Sequence, residues 1–397
     1  MQPRWPPNPF LYDRPLEPSE LIDREDELVL LLELADAGQT ARLTAPRRYG
    51  KTTLLRRVLA DVRDRGLEGV YVDLYGVVSL EQVGDRIERA YERELRGAVS
   101  RTARSVIRTL SPRVRIGAAG ASAELTPTPE RDARRRLERM LDLPVDIFKK
   151  SGRRTLVVFD EFQDVLRVGA EIEGLLRSRI QHQAREASYV FAGSHPGLML
   201  ALFGDRERPF FGQARPLALP PLSDAALGDY IESRFEQTRR NAGDAIGPLL
   251  ALARGHPQRA MLLAHHLWEK TPGTADAETW SLALEAVDRE LEEGFERTWD
   301  RLRRNEARVL AAVCASDESL FHRRTLQRFG LTKSGAEQGR DKLIEFGDAQ
   351  DLGRSRILVV DPLLERWVRR RQSADPEEVT RFPRSGSRRA EPGFAEE

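Results

Sequence analysis

The chain has 397 residues, too many for one ordinary core, so two or three domains are expected. Its 64 basic and 63 acidic residues leave a formal charge of +1, so nucleic-acid binding would have to come from a local patch. A single cysteine, Cys314, excludes an internal disulfide and any multi-cysteine metal site; it falls in an apolar run and reads as a buried thiol.

Residues 1–20, rich in Pro and aromatic side chains, read as an extended arm lying on the domain. They lack the apolar stretch of a signal peptide, and no run of 18 apolar residues offers a membrane span, so the cytoplasm is the expected compartment. From 21 to 222 strands and helices alternate, the pattern of a parallel sheet covered on both faces. Strands are expected at 40–44, 70–74, 155–159, 189–192 and 216–219. Helices are expected at about 51–65, 80–95, 130–148 and 172–185. An Arg-, Gly- and Thr-rich stretch at about 100–129 breaks the pattern and reads as an insertion outside the sheet.

Residues 223–303 lose the strand signal and read as a helical lid, broken at Gly255-His256-Pro257 and at Thr271-Pro272-Gly273. From 304 to 371 the order is helix, helix near 321–329, helix 333–346 and a strand pair around 349–360, the order of a winged helix. The polar tail at 372–397 is expected to be disordered.

Chemistry enters at Ala45-Pro46-Arg47-Arg48-Tyr49-Gly50-Lys51-Thr52, directly after a strand and opening a helix. This is the phosphate-loop pattern G-x-x-x-x-G-K-S/T with Ala at the first position. Such a loop converges backbone N–H groups on phosphates at a positive helix terminus. Gly50 supplies a permissive backbone, Lys51 the charge for the β- and γ-phosphates and Thr52 a hydroxyl for Mg²⁺. Ala45 fits if its φ stays negative. Only six of the basic residues are lysines, which makes Lys51 stand out.

The second site, Thr155-Leu156-Val157-Val158-Phe159-Asp160-Glu161, is an apolar strand ending in two carboxylates. Asp160 can hold Mg²⁺ through water, and Glu161 can orient and deprotonate an attacking water. A further apolar strand ends at Gly193-Ser194. Ser194 fits a polar sensor beside the γ-phosphate, or an N-cap for the helix that follows. His195 has no partner visible in sequence and reads as a loop histidine. The fold expected is an α/β, three-layer P-loop NTPase core of the kind with a catalytic Glu after the Asp (ASCE).

With these residues in place, the chain resembles the archaeal-type ATPases, which sit near the AAA+ and STAND P-loop proteins. Leu21-Ile22-Asp23-Arg24-Glu25-Asp26-Glu27-Leu28 is similar to that family's F-x-G-R-E-x-E-L box beside the adenine, with Asp23 in place of the Gly; the resemblance implies nucleotide contacts from Ile22 and Arg24. Ala45 to Thr53 resembles its G-P-R-R-x-G-K-T-S/T loop, adding Thr53. Gly193-Ser194-His195 with Met199 resembles its G-S-x motif with a Met shortly after. Pro209-Phe210-Phe211-Gly212-Gln213 is similar to P-F/L-Y/F-G-R, with Gln213 where the Arg stands and Arg215 two places on. Gly255-His256-Pro257-Gln258-Arg259 resembles the lid's G-x-P motif, implying nucleotide contacts from Pro257 and a phosphate-sensing role for Arg259. Asp361-Pro362 followed by Trp367 resembles the family's terminal D-P-x-x-x-x-W.

The resemblance implies an engine that binds Mg-ATP and hydrolyses it, without naming the output. One reading is a switch or motor moving its lid and winged helix. The other is ATP-regulated DNA binding through the winged helix, with the arginines of 354–371 as phosphate contacts. A homo-oligomer and a protein partner stay open as well.

Overall fold

The computed structural model describes residues 7–95, 129–315, 319–351, 353 and 356–374. Most of the expected insertion at about 100–129, Arg354 and the tail beyond Ala374 lie outside them. The chain divides into two compact units, Asp13–Ala226 and Met1–Tyr12 with Leu227–Glu397. The expected arm is thus shared between them.

In the first unit a 3-10 turn, Pro18–Glu20, precedes α1 (Glu25–Asp36), β1 (Thr40–Thr44), α2 (Lys51–Asp64), β2 (Glu68–Asp73) and α3 (Leu80–Glu94). There follow α4 (Pro129–Leu141), α5 (Leu143–Ser151), β3 (Thr155–Asp160), α6 (Glu171–Ile180), β4 (Ala187–Gly193), α7 (Pro196–Gly204) and β5 (Arg215–Ala218). The five strands run parallel in the order β2-β3-β4-β1-β5. Every residue of β3 and β4 is buried, as interior strands covered on both faces must be. β5 is an exposed edge. Arg215 opens β5 opposite Ala41, at the strand end away from the loop that follows β1.

Two helices differ from expectation. The span 130–148 is broken at Asp142, because Pro144 in the first turn of α5 has no N–H to continue a helix. The span 172–185 stops at Ile180. Beyond it the buried Gln183 donates to the Leu141 carbonyl (3.0 Å) and accepts from the Tyr189 hydroxyl.

Phe159, Phe162, Phe191, Phe203 and Phe210 form an aromatic cluster under the sheet. Phe162 and Phe191 share its centre, their rings 4.4 Å apart, and Phe162 stands edge-on to Phe210 at 5.4 Å. It opens the 3-10 turn Phe162–Arg167 that follows β3, so the cluster holds the chain leaving the two carboxylates.

The second unit holds α8 (Asp224–Gln237), α9 (Ile246–Ala253), α10 (Pro257–Lys270), α11 (Ala277–Asp300), α12 (Arg304–Ala315), α13 (Arg323–Arg328) and α14 (Lys333–Phe346). An antiparallel pair, β6 (Ala349–Asp351) and β7 (Ile357–Val359), and α15 (Pro362–Ala374) complete it. A capping box of Asp276 and Thr279 starts α11. Phe10 is buried here against Phe235, and Asn8 donates to the His265 carbonyl at 3.1 Å. No helix among the described residues is long and apolar enough to cross a membrane.

Because Phe162 is fully buried among four aromatic rings, Phe162→Ala should destabilise the first unit by roughly 3–5 kcal/mol. Denaturant unfolding followed by tryptophan-independent far-UV signal reads this. A loss below about 1 kcal/mol would remove the cluster's structural role.

Candidate active site

Strand order decides which chain ends meet. β4 lies between β1 and β3, so the loop after β1, the acids ending β3 and Ser194 after β4 converge at one sheet edge. Two left-handed residues shape the loop, Arg48 (φ 66°) and Gly50 (φ 81°), the latter immediately before α2. Ala45 keeps a negative φ, as the sequence required, and its N–H donates to the Gly193 carbonyl at 3.3 Å. Ala45, Pro46, Tyr49, Lys51 and Thr53 are buried, whereas Arg47 and Arg48 are exposed.

Lys51 is 6% exposed and Asp160 4%. The Lys51 ammonium donates to Asp160 Oδ1, and at 3.2 Å to Glu161 Oε1. A buried cation needs such counter-charge, since desolvation otherwise costs several kcal/mol. The other oxygen of Asp160 accepts from the Tyr71 hydroxyl, and Thr52 hydrogen-bonds the same phenol. Burial, then the nearby Asp160 charge, pushes the Tyr71 pKa well up, so it stays a donor.

Glu161 sits in a left-handed turn (φ 51°). Its Oε2 accepts from Ser194 Oγ and from Gln163 Nε2, both at 2.6 Å. Burial works to raise its pKa, but the Lys51 charge and these hydrogen bonds outweigh it and hold the carboxyl below its ordinary value. Ser194 therefore faces Glu161. α7 is preceded by His195, whose side chain makes no capping bond. His195 has a partner after all: its Nδ1 lies 3.1 Å from Ser194 Oγ. Burial first, then Arg47, lowers its pKa, which keeps the ring neutral.

Arg24 is buried, with its guanidinium 2.6 Å from the Pro220 carbonyl, and burial lowers its pKa. Ile22 beside it is half-buried. Asp23 adopts the left-handed conformation (φ 52°) that the Gly of the resembled box would supply, and its carboxylate accepts from Ser223 N at 2.6 Å. Pro257 and Arg259 belong to the second unit. There Arg259 is 5% exposed, its Nε donating to both oxygens of Asp361 at 2.9 and 3.0 Å.

Sequence reasoning missed Tyr71 and Gln163. Tyr71 stands two residues before Asp73, the register partner of Asp160, and so shares its face of the sheet. Only the β2–β3 pairing reveals this.

Ser194→Ala would leave Glu161 with one donor fewer on the ionised form, so the Glu161 pKa should rise. Carboxyl-carbon NMR titration checks this, and an unchanged or lower value would remove Ser194 from the carboxylate.

Residues 21–244 match the family described as an ATPase domain predominantly from Archaea. Comparison with curated proteins gives no match. Among solved structures the chain is similar to a Walker-type ATPase of Pyrococcus abyssi, with 16% identity, a TM-score of 0.63, and 90% of this chain and 99% of that one covered. It is also similar to the ORC2 protein of Aeropyrum pernix in its ADPNP–ADP complexes (15%, TM-score 0.56, 92% and 98% covered). At these identities the likeness shows the fold, a five-stranded parallel P-loop NTPase sheet with flanking helices. The matched segment spans more than half of the chain and contains the phosphate loop, the two carboxylates and Ser194, so the chain belongs to this family of ATPase domains and is a P-loop ATPase.

Proposed function

We propose that the protein is a nucleotide-gated switch that hydrolyses ATP with Glu161 as general base. The observation that carries this is the single ammonium of Lys51 resting on both Asp160 and Glu161. The donor set suits Mg-ATP: Thr52 hydroxyl and Asp160 carboxylate are the hard oxygens Mg²⁺ prefers, and Lys51 and the N–H groups opening α2 are phosphate donors. Bound Mg-ATP would supply the phosphorus centre and the charge that draws Lys51 off the acids. Ala45 to Thr53, Ile22 and Arg24 would line the nucleotide.

The chain's own part follows from its hydrogen bonds. Ser194 and Gln163 occupy Glu161 Oε2, which leaves Oε1, the atom facing Lys51, as the base. Once Lys51 turns to phosphate, Oε1 is free to orient a water and accept its proton. Tyr71 holds Asp160 so that its second oxygen still faces the loop. Binding and turnover are thereby assigned to different residues.

The second unit, read as lid and winged helix, would carry the output. Its charge arrangement favours a protein-contact output over DNA. Arg366 and Arg370 pair with Asp288, Arg369 with Glu365, and Arg371 lies over Trp299 and Trp367. On α14, Arg340 pairs with Asp341 and Lys342 with Glu345. Each of these cations already has a partner within the unit, with Asp288 serving two arginines, so a phosphate contact would have to displace that partner. We assign Pro257 and Arg259 to the lid's response to nucleotide.

Lys51→Ala should weaken ATP binding by one to three orders of magnitude, about 1.4–4 kcal/mol, measured by calorimetry. Unchanged affinity in a folded variant would sink the phosphate assignment. Glu161→Gln should bind ATP normally and slow single-turnover phosphate release by about 10²–10⁴-fold. Hydrolysis at the wild-type rate would exclude Glu161 as the base.

A further inference from the structure

The acid cluster uses only part of the G-S-x motif with its following Met: Ser194 reaches Glu161, while Gly193 and Met199 donate nothing to it. Gly193 has no positive φ, so backbone conformation does not demand glycine. Space does. A Cβ on Gly193 would lie 2.6 Å from Gln163 Oε1 and 2.5 Å from both Cγ and Sδ of Met199. Real side chains do not approach so closely, so any residue but glycine must displace Gln163, Met199 or both.

Gln163 itself is 2% exposed, an expensive place for an amide. Its Nε2 donates to Glu161 Oε2 at 2.6 Å, while its Oε1 has no hydrogen-bond partner among the described residues. The amide orientation is fixed by electrostatics: turned over, it would set a carbonyl oxygen against a carboxylate. Burying an amide half-satisfied costs free energy that a leucine at 163 would avoid. The neighbouring Phe162, locked in the aromatic cluster, sets the turn from which Gln163 reaches back to Glu161. An apolar residue would pack this turn equally well, so the amide's use lies in what it binds.

We propose that Gln163 is a positioning residue for the catalytic Glu161 carboxylate, and that Gly193 is glycine to leave Gln163 the space it needs. The inference rests on Glu161 being the general base. With two donors on Oε2, one from the β3 turn and one after β4, the carboxylate cannot rotate, and Oε1 stays directed to where Lys51 now sits. Gly193 touches no reacting group, which makes it a remote handle on the base.

The test is a double-mutant cycle on the full-length chain with Gln163→Ala, Gly193→Ala and the pair, read by ATP affinity and by single-turnover hydrolysis. Each single variant should keep ATP affinity within about threefold while hydrolysis falls roughly 10- to 100-fold, the effect of a displaced base. The pair should be no slower than Gln163→Ala alone, because the added methyl then has only the flexible Met199 thioether to displace, and that side chain offers Glu161 no donor. Hydrolysis by Gly193→Ala at the wild-type rate, or losses that multiply in the pair, would overturn the proposal. Should Gly193→Ala fail to fold, Gln163→Asn, one methylene too short to reach Glu161, must show the same split between affinity and rate, and wild-type hydrolysis there overturns the proposal equally. Glu161→Gln separates the two levels: if it hydrolyses ATP normally, the base assignment itself falls. If it is impaired while the Gln163 and Gly193 variants hydrolyse ATP at the wild-type rate, only the positioning role falls.

Discussion

A lysine ammonium taken out of water must be given negative charge, and Lys51 is buried against two carboxylates. The rest of the first unit can be understood from that requirement. The lysine opens α2 and the acids end β3, more than a hundred residues later, so the pairing exists only if β1 and β3 deliver their ends to one edge. Placing β4 between them does this, and also brings Ser194 to Glu161. The cluster stays neutral enough to be buried and becomes poised for exchange, since phosphate oxygens offer Lys51 an alternative anion.

Packing and chemistry are joined at the turn after β3. Phe162, between the acid pair and Gln163, sits at the centre of the aromatic cluster with Phe191, so the dispersion and burial that stabilise the core also fix where Glu161 points. The positive φ of Glu161 is strain of the order of 1–2 kcal/mol that this packing holds in place. Asp23 shows the same principle elsewhere in the first unit, its left-handed backbone secured by its own carboxylate on Ser223.

The second unit spends its charge differently. Arg259 binds Asp361, which also accepts from Leu363 N at the start of α15, so one carboxylate ties α10 to the last helix. Arg254, just past the end of α9, binds that last helix through Glu365. Trp367 completes this seam, donating to Glu292 on α11 at 2.9 Å and meeting Trp299 edge-on. The D-P-x-x-x-x-W ending is therefore an internal fastener: Asp361 caps and bridges, and Trp367 fills.

The sequence alone determined what local physics controls. Fully apolar runs became the interior strands β3 and β4, the 40–44 strand and the 333–346 helix kept their limits, and Gly50-Lys51-Thr52 opened a helix, because burial pattern and backbone permissiveness are local properties. It also named Lys51, Asp160, Glu161 and Ser194, each of which stands at the end of an element and is marked by its position. Tertiary structure decided everything that depends on which strands are neighbours. Tyr71 reaches Asp160 only through the β2–β3 register, and Gln163 meets Gly193 only because β3 and β4 pair. The arginines of 354–371 read as phosphate contacts in sequence, yet those described on α15 find an acid and an aromatic ring on α11, a backbone carbonyl of α12 and an acid of their own helix. A one-dimensional pattern carries period and composition but not adjacency, and hydrogen bonds and ion pairs between distant segments are adjacency.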